Sequence, residues 1–270
     1  MRKFFDKGRK KMEIIQAGIV YPVDWKKLCE LENVICNPTC ENASDTYQLE
    51  KVIAHELSQA LACLTATDIG LALSGGLDSS ILAQMLKTSG ASFTALTIAD
   101  SSDHPDALHS RLVAKQINLN HIVHILDKND KSSDKYDLLF QIAQKHGLTG
   151  MICGDTIDEQ LGGYYYHQHP EHFDHDPIHS ADQKLRVVYN DYWRRLYTDH
   201  LQPLHEFSVK HNIQTALPYL GLLSFTCQLP MRQRSDSKRG KKILRELGLR
   251  LGLPNEVLTR KKLGLCNVIR

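Results

Sequence analysis

The sequence predicts an α/β fold: a doubly wound parallel sheet followed by a mostly helical C-terminal part. Three observations point there. Short apolar runs alternate with stretches of helical period between residues 46 and 165. The first run leads into Leu73-Ser74-Gly75-Gly76-Leu77-Asp78-Ser79-Ser80, a glycine turn that opens a helix. From residue 166 onward the pattern is mostly helical. Strands and helices in alternation argue for parallel strands covered on both faces.

Taken in order, residues 1–45 are weakly patterned and read as an N-terminal extension. They carry a strand over 14–20, a helical turn or two over 25–31, and a polar loop over 36–44. From Thr46 the period is helical. Leu49, Val52, Ile53, Leu57, Leu61 and Leu64 make one apolar face, and Ser44 or Asp45 can cap it. Strands follow over 69–73, 93–98, 121–126 and 149–153, with helices over 79–87, 105–116 and 137–146. Pro105 suits a first helical turn, with Leu108, Leu112 and Val113 turned inward. Gly147 suits a C-cap. Beyond 166, one long helix covers 180–210, with Leu185, Val188, Tyr192, Leu196 and Leu204 as core candidates. Helices over 238–252 and 254–259 close the chain. No flexible linker interrupts 46–270, so it reads as one domain in two parts, 46–165 and 166–270.

Composition narrows the function classes. The chain has 270 residues, 42% hydrophobic and 24% charged, ordinary for a globular protein. A net charge of +2 gives no electrostatic case for bulk nucleic-acid binding. No apolar run approaches a membrane span, and residues 1–11 are basic without the apolar core of a signal peptide. Cys29, Cys36, Cys40, Cys63, Cys153, Cys227 and Cys266 are scattered and odd in number. They complete no zinc pattern and suggest free thiols in a reducing cytoplasm.

The glycine turn has the makings of a phosphate site. Two glycines let backbone N–H groups approach an anion, and Ser74, Ser79 and Ser80 add hydroxyl donors. The following helix points its positive end the same way. Asp78 beside phosphate calls for a cation, and Mg²⁺ favours carboxylate plus phosphate oxygen. The turn is neither a Walker loop nor a dinucleotide fingerprint, because the spacing fits neither. A second signal, Gly154-Asp155-Thr156-Ile157-Asp158-Glu159, follows the fourth strand, and Leu161-Gly162-Gly163-Tyr164 follows that. Three carboxylates within five positions repel one another unless a metal or cation joins them. Both signals lie beyond strand carboxyl ends, where ligands of parallel sheets bind.

Ser74-Gly75-Gly76-Leu77-Asp78-Ser79 resembles the pyrophosphate loop of the N-type ATP pyrophosphatases, the adenine nucleotide α-hydrolase (PP-loop) fold. With the Gly-Asp-x-x-Asp-Glu-x-x-Gly-Gly-Tyr pattern, the chain resembles the synthetase domain of asparagine synthetases and β-lactam synthetases. Gly240-Lys241-Lys242-Ile243-Leu244-Arg245-Glu246 is similar to that family's lysine segment and puts Lys241 at the catalytic lysine's place. Ala216-Leu217-Pro218-Tyr219-Leu220, Leu253-Pro254 and Arg260-Lys261-Lys262-Leu263-Gly264 resemble further family segments. The likeness runs over roughly 45–268. Cys153, Thr156 and Leu161 depart from the family's usual Ser, Gly and Phe.

The resemblance implies an ATP-dependent ligase. A substrate carboxylate is adenylated, pyrophosphate leaves, and ammonia or an amine attacks the acyl carbon to form an amide. It implies that Ser74, Gly75, Gly76, Asp78, Ser79 and Ser80 hold pyrophosphate. Leu73 and Ile98 would border the adenine, and Gly154 the nucleotide. Asp78 and Asp158 would bind Mg²⁺. Lys241, Asp155 and Glu159 would be catalytic, Lys241 as a fixed cation and Asp155 as the proton acceptor. Too few residues precede Thr46 for the family's glutaminase domain. Ammonia is then free, or delivered by a separate glutaminase subunit, or replaced by another amine. Residues 128–150 are also shorter than the family's usual insertion, which weakens aspartate as the substrate. A homodimer is compatible with this reading. Two alternatives stay open: a tRNA-modifying PP-loop pyrophosphatase, kept by the basic 238–242 and 260–262 stretches, and a non-catalytic nucleotide-binding partner. His167, His169, His172, His175 and His179 follow no helical ligand spacing and read as an exposed loop.

Overall fold

The structure, a computed structural model, describes residues 18–19, 45–132, 134–236 and 238–260, without the side chain of Arg232. The helical turn expected at 25–31, the loop at 36–44 and the closing 261–264 segment lie outside the described residues.

A six-stranded parallel sheet organises the chain, in the order β1-β6-β5-β2-β3-β4. The strands are β1 (Gly18–Ile19), β2 (Ile69–Ala72), β3 (Thr94–Ala99), β4 (His121–Ile125), β5 (Gly150–Ile152) and β6 (Gln214–Ala216). β1 falls within the strand expected at 14–20. The winding runs outward from β2 to β4, then returns to β5 on the other side of β2. Ile69, Gly70 and Leu71 pair with Gly150, Met151 and Ile152. The order therefore reverses between β2 and β5, which makes that crevice the switch point.

Helices cover both faces, as the doubly wound reading requires. α1 (Thr46–Cys63) buries Leu49, Ile53, Leu57 and Ala60, and Asp45 caps it by accepting from the Gln48 N–H at 2.8 Å. α2 (Leu77–Thr88) starts at the glycine turn, two residues earlier than the pattern predicts. α3 (Pro105–Gln116) and α4 (Lys135–Lys145) connect β3 to β4 and β4 to β5. Gly147 takes the left-handed conformation after α4, φ 74°, that ends the helix.

Three expectations need correction. On α3, Leu108 and Leu112 are exposed, and Ala107, Ser110, Val113 and Ala114 face inward. The reason is close approach: a Cβ at Gly75, φ 67°, would overlap the backbone of His109 and Ser110. Only small side chains fit between the glycine turn and this helix, so the leucines rotate outward. The second correction is β6, a strand inside the half read as helical. It carries the polar Gln214 and Thr215, so no apolar run marks it. The Gln214 amide is occupied instead, accepting from the Thr65 and Ala66 N–H groups at 2.8 and 3.0 Å.

The third correction is the helix expected over 180–210. It forms α7 (Ala181–Leu196), a π-helical turn (Tyr197–Leu201) and α8 (Gln202–Lys210). Pro203 has no N–H for the Asp199 carbonyl, and the Gln202 N–H bonds five residues back, to Tyr197. Val188, Leu196 and Leu204 are buried as expected, whereas Leu185 and Tyr192 are half-buried and Tyr189 and Trp193 fill the core. The helix Lys242–Arg250 packs on α1 and α2. It begins four residues after the expected 238, because Lys241 is left-handed, φ 56°.

Candidate functional site

The site lies in the β2–β5 crevice. After β2, Leu73 stays in the sheet through its N–H to Leu96, and its carbonyl accepts from Thr97 Oγ1 at 2.5 Å. The chain then turns at Gly75. Ser74 Oγ accepts from the Gly76 N–H at 3.3 Å and lies 3.3 Å from Ser79 Oγ. Both hydroxyls thus flank the N-terminus of α2, where the helix dipole favours an anion. Arg260 braces the turn, donating to the Ser74 carbonyl at 2.7 Å and pairing with Asp106.

After β5, Gly154 sits against Asp78, Leu82 and Tyr219, and short helix α5 (Ile157–Leu161) carries Asp158 and Glu159. Thr156 opens α5 in the left-handed region, φ 81°. A β-branched residue there is strained by roughly 1–3 kcal/mol. Glycine relieves that strain, so Thr156→Gly should raise unfolding stability by about 1 kcal/mol in a denaturant titration. A lowered midpoint would mean that the Thr156 contacts to Gln160 outweigh the strain.

The third piece arrives from the helical half. Lys241 Nζ lies 2.5 Å from Asp78 Oδ2 and 2.7 Å from Asp158 Oδ1. Lys241 is 5% exposed. Gly163 makes the approach possible, because a Cβ there would overlap both the Asp158 carboxylate and the Lys241 side chain. Gly240 crosses the Gly162 carbonyl with the same lack of room. The Gly-Gly pair after the acidic motif therefore lets the lysine segment pass over it.

The cleft between these pieces is lined by Leu73, Ser74, Asp78, Ser79, Ile98, Gly154, Asp155, Asp158 and Glu159, among others. Lys241 reaches the same cleft through the two aspartates. Gly75 and Gly76 shape the turn without lining it. Ser80 does not join the group. Its side chain is fully buried on the inner face of α2, because each helical step turns the direction by about 100°.

Four side chains at the cleft carried no signal of their own in the sequence reading. Lys135 and Tyr136 come from the start of α4, where Asp134 caps the helix by accepting from the Tyr136 N–H at 2.7 Å. His200 comes from the π-helical turn. Tyr164, quoted only as the end of the Gly-Gly-Tyr run, points its hydroxyl at Glu159 at 2.5 Å. Pro203 was the available sign that the helix over 180–210 breaks near His200.

Electrostatics divide the acids. Burial pushes the Asp155 carboxyl up, but the hydrogen bond and charge of His200, with Lys135 and Tyr136, outweigh it and hold the group low. Burial and then Asp158 raise the Glu159 carboxyl above its ordinary 4.5. An acid raised on folding stabilises the fold fully below its unfolded value, and that contribution is lost as pH rises through the folded value. Glu159→Gln should therefore gain stability over the parent as pH rises from about 4 to about 8. Thermal melts across that window check this, and a pH-independent difference would sink it.

The histidine-rich segment is more ordered than the exposed loop expected. Residues Tyr165–Gln168 form the short helix α6 and Pro170–His172 a 3₁₀ turn. His167 is buried, with its ring stacked 5.8 Å from Tyr164 and 5.0 Å from Tyr192. Aromatic packing on the Gly-Gly-Tyr run, invisible to a spacing rule, explains the difference. His169 and His172 flank Glu171 at the surface.

Fold and site together define an α/β protein of the PP-loop type, with a glycine turn and a facing acidic loop at the switch point of a parallel sheet. The chain belongs to the asparagine synthase family, whose family model matches residues 53–136 and 171–269. The stretch 137–170 lies between the matched segments and holds Asp155, Asp158 and Glu159. No curated protein matches the chain. Among solved structures, the NMN synthetase from Francisella tularensis is similar at 14% identity and a TM-score of 0.46, over 83% of this chain and 77% of its own. An NH₃-dependent NAD synthetase from Campylobacter jejuni is similar at 14% identity and a TM-score of 0.36, over 63% and 95%. The NAD⁺ synthetase from Burkholderia pseudomallei stands at 13% and 0.35, over 89% and 96%. No described helix is long and apolar enough to cross a membrane.

Proposed function

We propose that the protein is an ATP-dependent, AMP-forming carbon–nitrogen ligase that adenylates a substrate carboxylate and joins it to ammonia or an amine. One observation carries the reading: Lys241, Asp78 and Asp158 meet at the mouth of the glycine turn. Family membership supports the same class.

In this reading the substrate carboxylate attacks the α-phosphorus of ATP. Pyrophosphate leaves toward the Ser74–Ser79 turn, where hydroxyls and the α2 N-terminus receive it. Lys241 turns its ammonium from the two carboxylates to the phosphate oxygens, a fixed cation in a water-poor site. The two carboxylates fit a divalent ion, since both reach one cationic atom at 2.5 and 2.7 Å and both offer hard oxygen ligands. Mg²⁺ held by Asp78 and Asp158 would neutralise the separating charge. Asp155, ionised and lining the cleft, is the group placed to take the proton of the attacking amine. Glu159 sits behind it, and its Oε2 has no hydrogen-bond partner among the described residues.

The test is direct. The protein is mixed with ATP, Mg²⁺, pooled carboxylic acids and ammonia, and AMP and pyrophosphate are followed. Acid-dependent release of both is expected. ATP binding without AMP formation, for any acid or amine, would instead favour the non-catalytic alternative.

A further inference from the structure

The turn that follows α6 gathers three metal-ligating side chains outside the cleft. Paired ligands on an α-helix stand four residues apart, whereas His169 and His172 are three apart. In a 3₁₀ turn, side chains at i and i+3 eclipse. Pro170–His172 is such a turn, closed by the His172 N–H to the His169 carbonyl at 3.0 Å. The two imidazoles therefore stand on one side of it, nearly parallel, with ring centres 5.4 Å apart. Glu171 completes the group. Its Oε1 lies 3.5 Å from His169 Nδ1 and 3.8 Å from His172 Nε2. Both distances exceed an N–H···O hydrogen bond, about 2.7–3.2 Å. They come close to the edge of a tetrahedron of ligands around Zn²⁺, roughly 3.4 Å for bonds of about 2.0–2.1 Å. One ligand atom from each residue lies within 4.8 Å of the other two.

The surroundings suit a metal-bound imidazole. The Tyr165 hydroxyl lies 2.7 Å from His172 Nδ1. With Nε2 on a metal, Nδ1 carries the proton and Tyr165 accepts it, the outer-shell hydrogen bond that metal-bound imidazoles make. The Tyr165 ring also packs on both imidazoles, its centre 4.6 Å from that of His169 and 5.8 Å from that of His172. The backbone of the turn is held as well, because the Phe173 and Asp174 N–H groups both donate to the Pro170 carbonyl, at 3.1 and 2.9 Å. None of His169, Glu171 and His172 lines the cleft. Their donor set differs too. Two imidazoles and a carboxylate suit Zn²⁺, whereas Mg²⁺ takes oxygen ligands, as Asp78 and Asp158 offer.

We propose that His169, Glu171 and His172 form a Zn²⁺ site, with Nδ1, a carboxylate oxygen and Nε2 as its protein ligands. Water takes the fourth corner of the tetrahedron, which faces solvent. No step of the ligase chemistry passes through this ion, so the site stands or falls apart from that reading.

The full chain, stripped by a chelator that is then removed, is titrated with Zn²⁺ in a calorimeter. The buffer stands at pH about 8, above the ordinary imidazole range, and holds excess Mg²⁺ to occupy hard-oxygen sites. One equivalent should bind whose affinity falls about 100-fold in His169→Gln and in His172→Gln, and about 10-fold in Tyr165→Phe. His124→Gln alters another close imidazole pair, His124 Nδ1 and His146 Nε2 at 3.0 Å, and should leave that equivalent unchanged. The ligand variants change surface side chains, and melts without zinc that match the parent confirm that they fold. X-ray absorption of the one-equivalent complex should show nitrogen and oxygen at about 2.0–2.1 Å. Sulfur at about 2.3 Å would give the ion to cysteines and overturn the assignment. Failure of the parent to take up Zn²⁺, or an affinity untouched by His169→Gln and His172→Gln, would overturn it equally.

Discussion

Replacing Lys241 with alanine is expected to lower AMP-forming turnover by about 10²–10³-fold, the usual loss for one preorganised charge donor. The same change should also destabilise the fold, which is the more diagnostic effect. Without the ammonium, Asp78 and Asp158 lose the cation that joins them, and their like charges face each other across the same gap. Breaking a buried pair from one side costs about 3–5 kcal/mol. The side chain of Asp78 is 20% exposed, so the low end, roughly 3 kcal/mol, applies. Divalent ions should reverse much of that loss, because the carboxylate pair left behind is itself a hard-oxygen site. Thermal melts of Lys241→Ala with and without Mg²⁺, in the absence of nucleotide, check the point. The parent protein, whose carboxylates are already bridged, should respond far less. A variant as stable as the parent, indifferent to Mg²⁺, would show that Lys241 does not hold the pair together.

The parts of this site that were legible in the sequence are those whose chemistry depends on residue order. The glycine turn is a local event: Gly75 needs a left-handed backbone, Gly76 starts a helix, and Asp78 falls in its first turn. The acidic motif is equally local. What joins them is a strand order that places β5 beside β2, and alternating apolar runs give parallel strands without giving their order. Lys241 was reachable through the family resemblance, because nothing in Lys238-Arg239-Gly240-Lys241-Lys242 distinguishes one lysine from its neighbours. Tyr136 and His200 were out of reach. Tyr136 looks like one more apolar position of an amphipathic helix. His200 owes its direction to a π-helical turn whose only trace is Pro203, three residues on. β6 escapes a search for apolar runs because Gln214 and Thr215 are polar; backbone pairing with β1 and β5 holds the strand, and the Gln214 amide finds its partners at Thr65 and Ala66. The inward face of α3 was misjudged because helical period cannot report how close a glycine turn will approach.

Asp158→Asn should behave in the opposite way to Lys241→Ala, and the contrast is what separates chemistry from folding at this site. Lys241 keeps its 2.5 Å contact with Asp78, so no charge is stranded. Asp158 also stands second, after burial, among the causes that raise the Glu159 carboxyl. Removing its charge therefore lets Glu159 ionise more easily and removes one like-charge repulsion from the folded state. Unfolding stability near neutral pH should stay level or rise, by up to about 1 kcal/mol. Activity should collapse nonetheless. A neutral amide is a poor ligand for Mg²⁺, and loss of the divalent charge removes several kcal/mol of transition-state stabilisation, on the order of 10³-fold in rate. Melts at fixed pH and pyrophosphate release across a Mg²⁺ titration decide the matter together. If Asp158→Asn unfolded as early as Lys241→Ala, the ion pair would be a structural strut. If it kept more than about a tenth of parental turnover, a 1.4 kcal/mol difference, Asp158 would not hold the ion that the proposed chemistry requires.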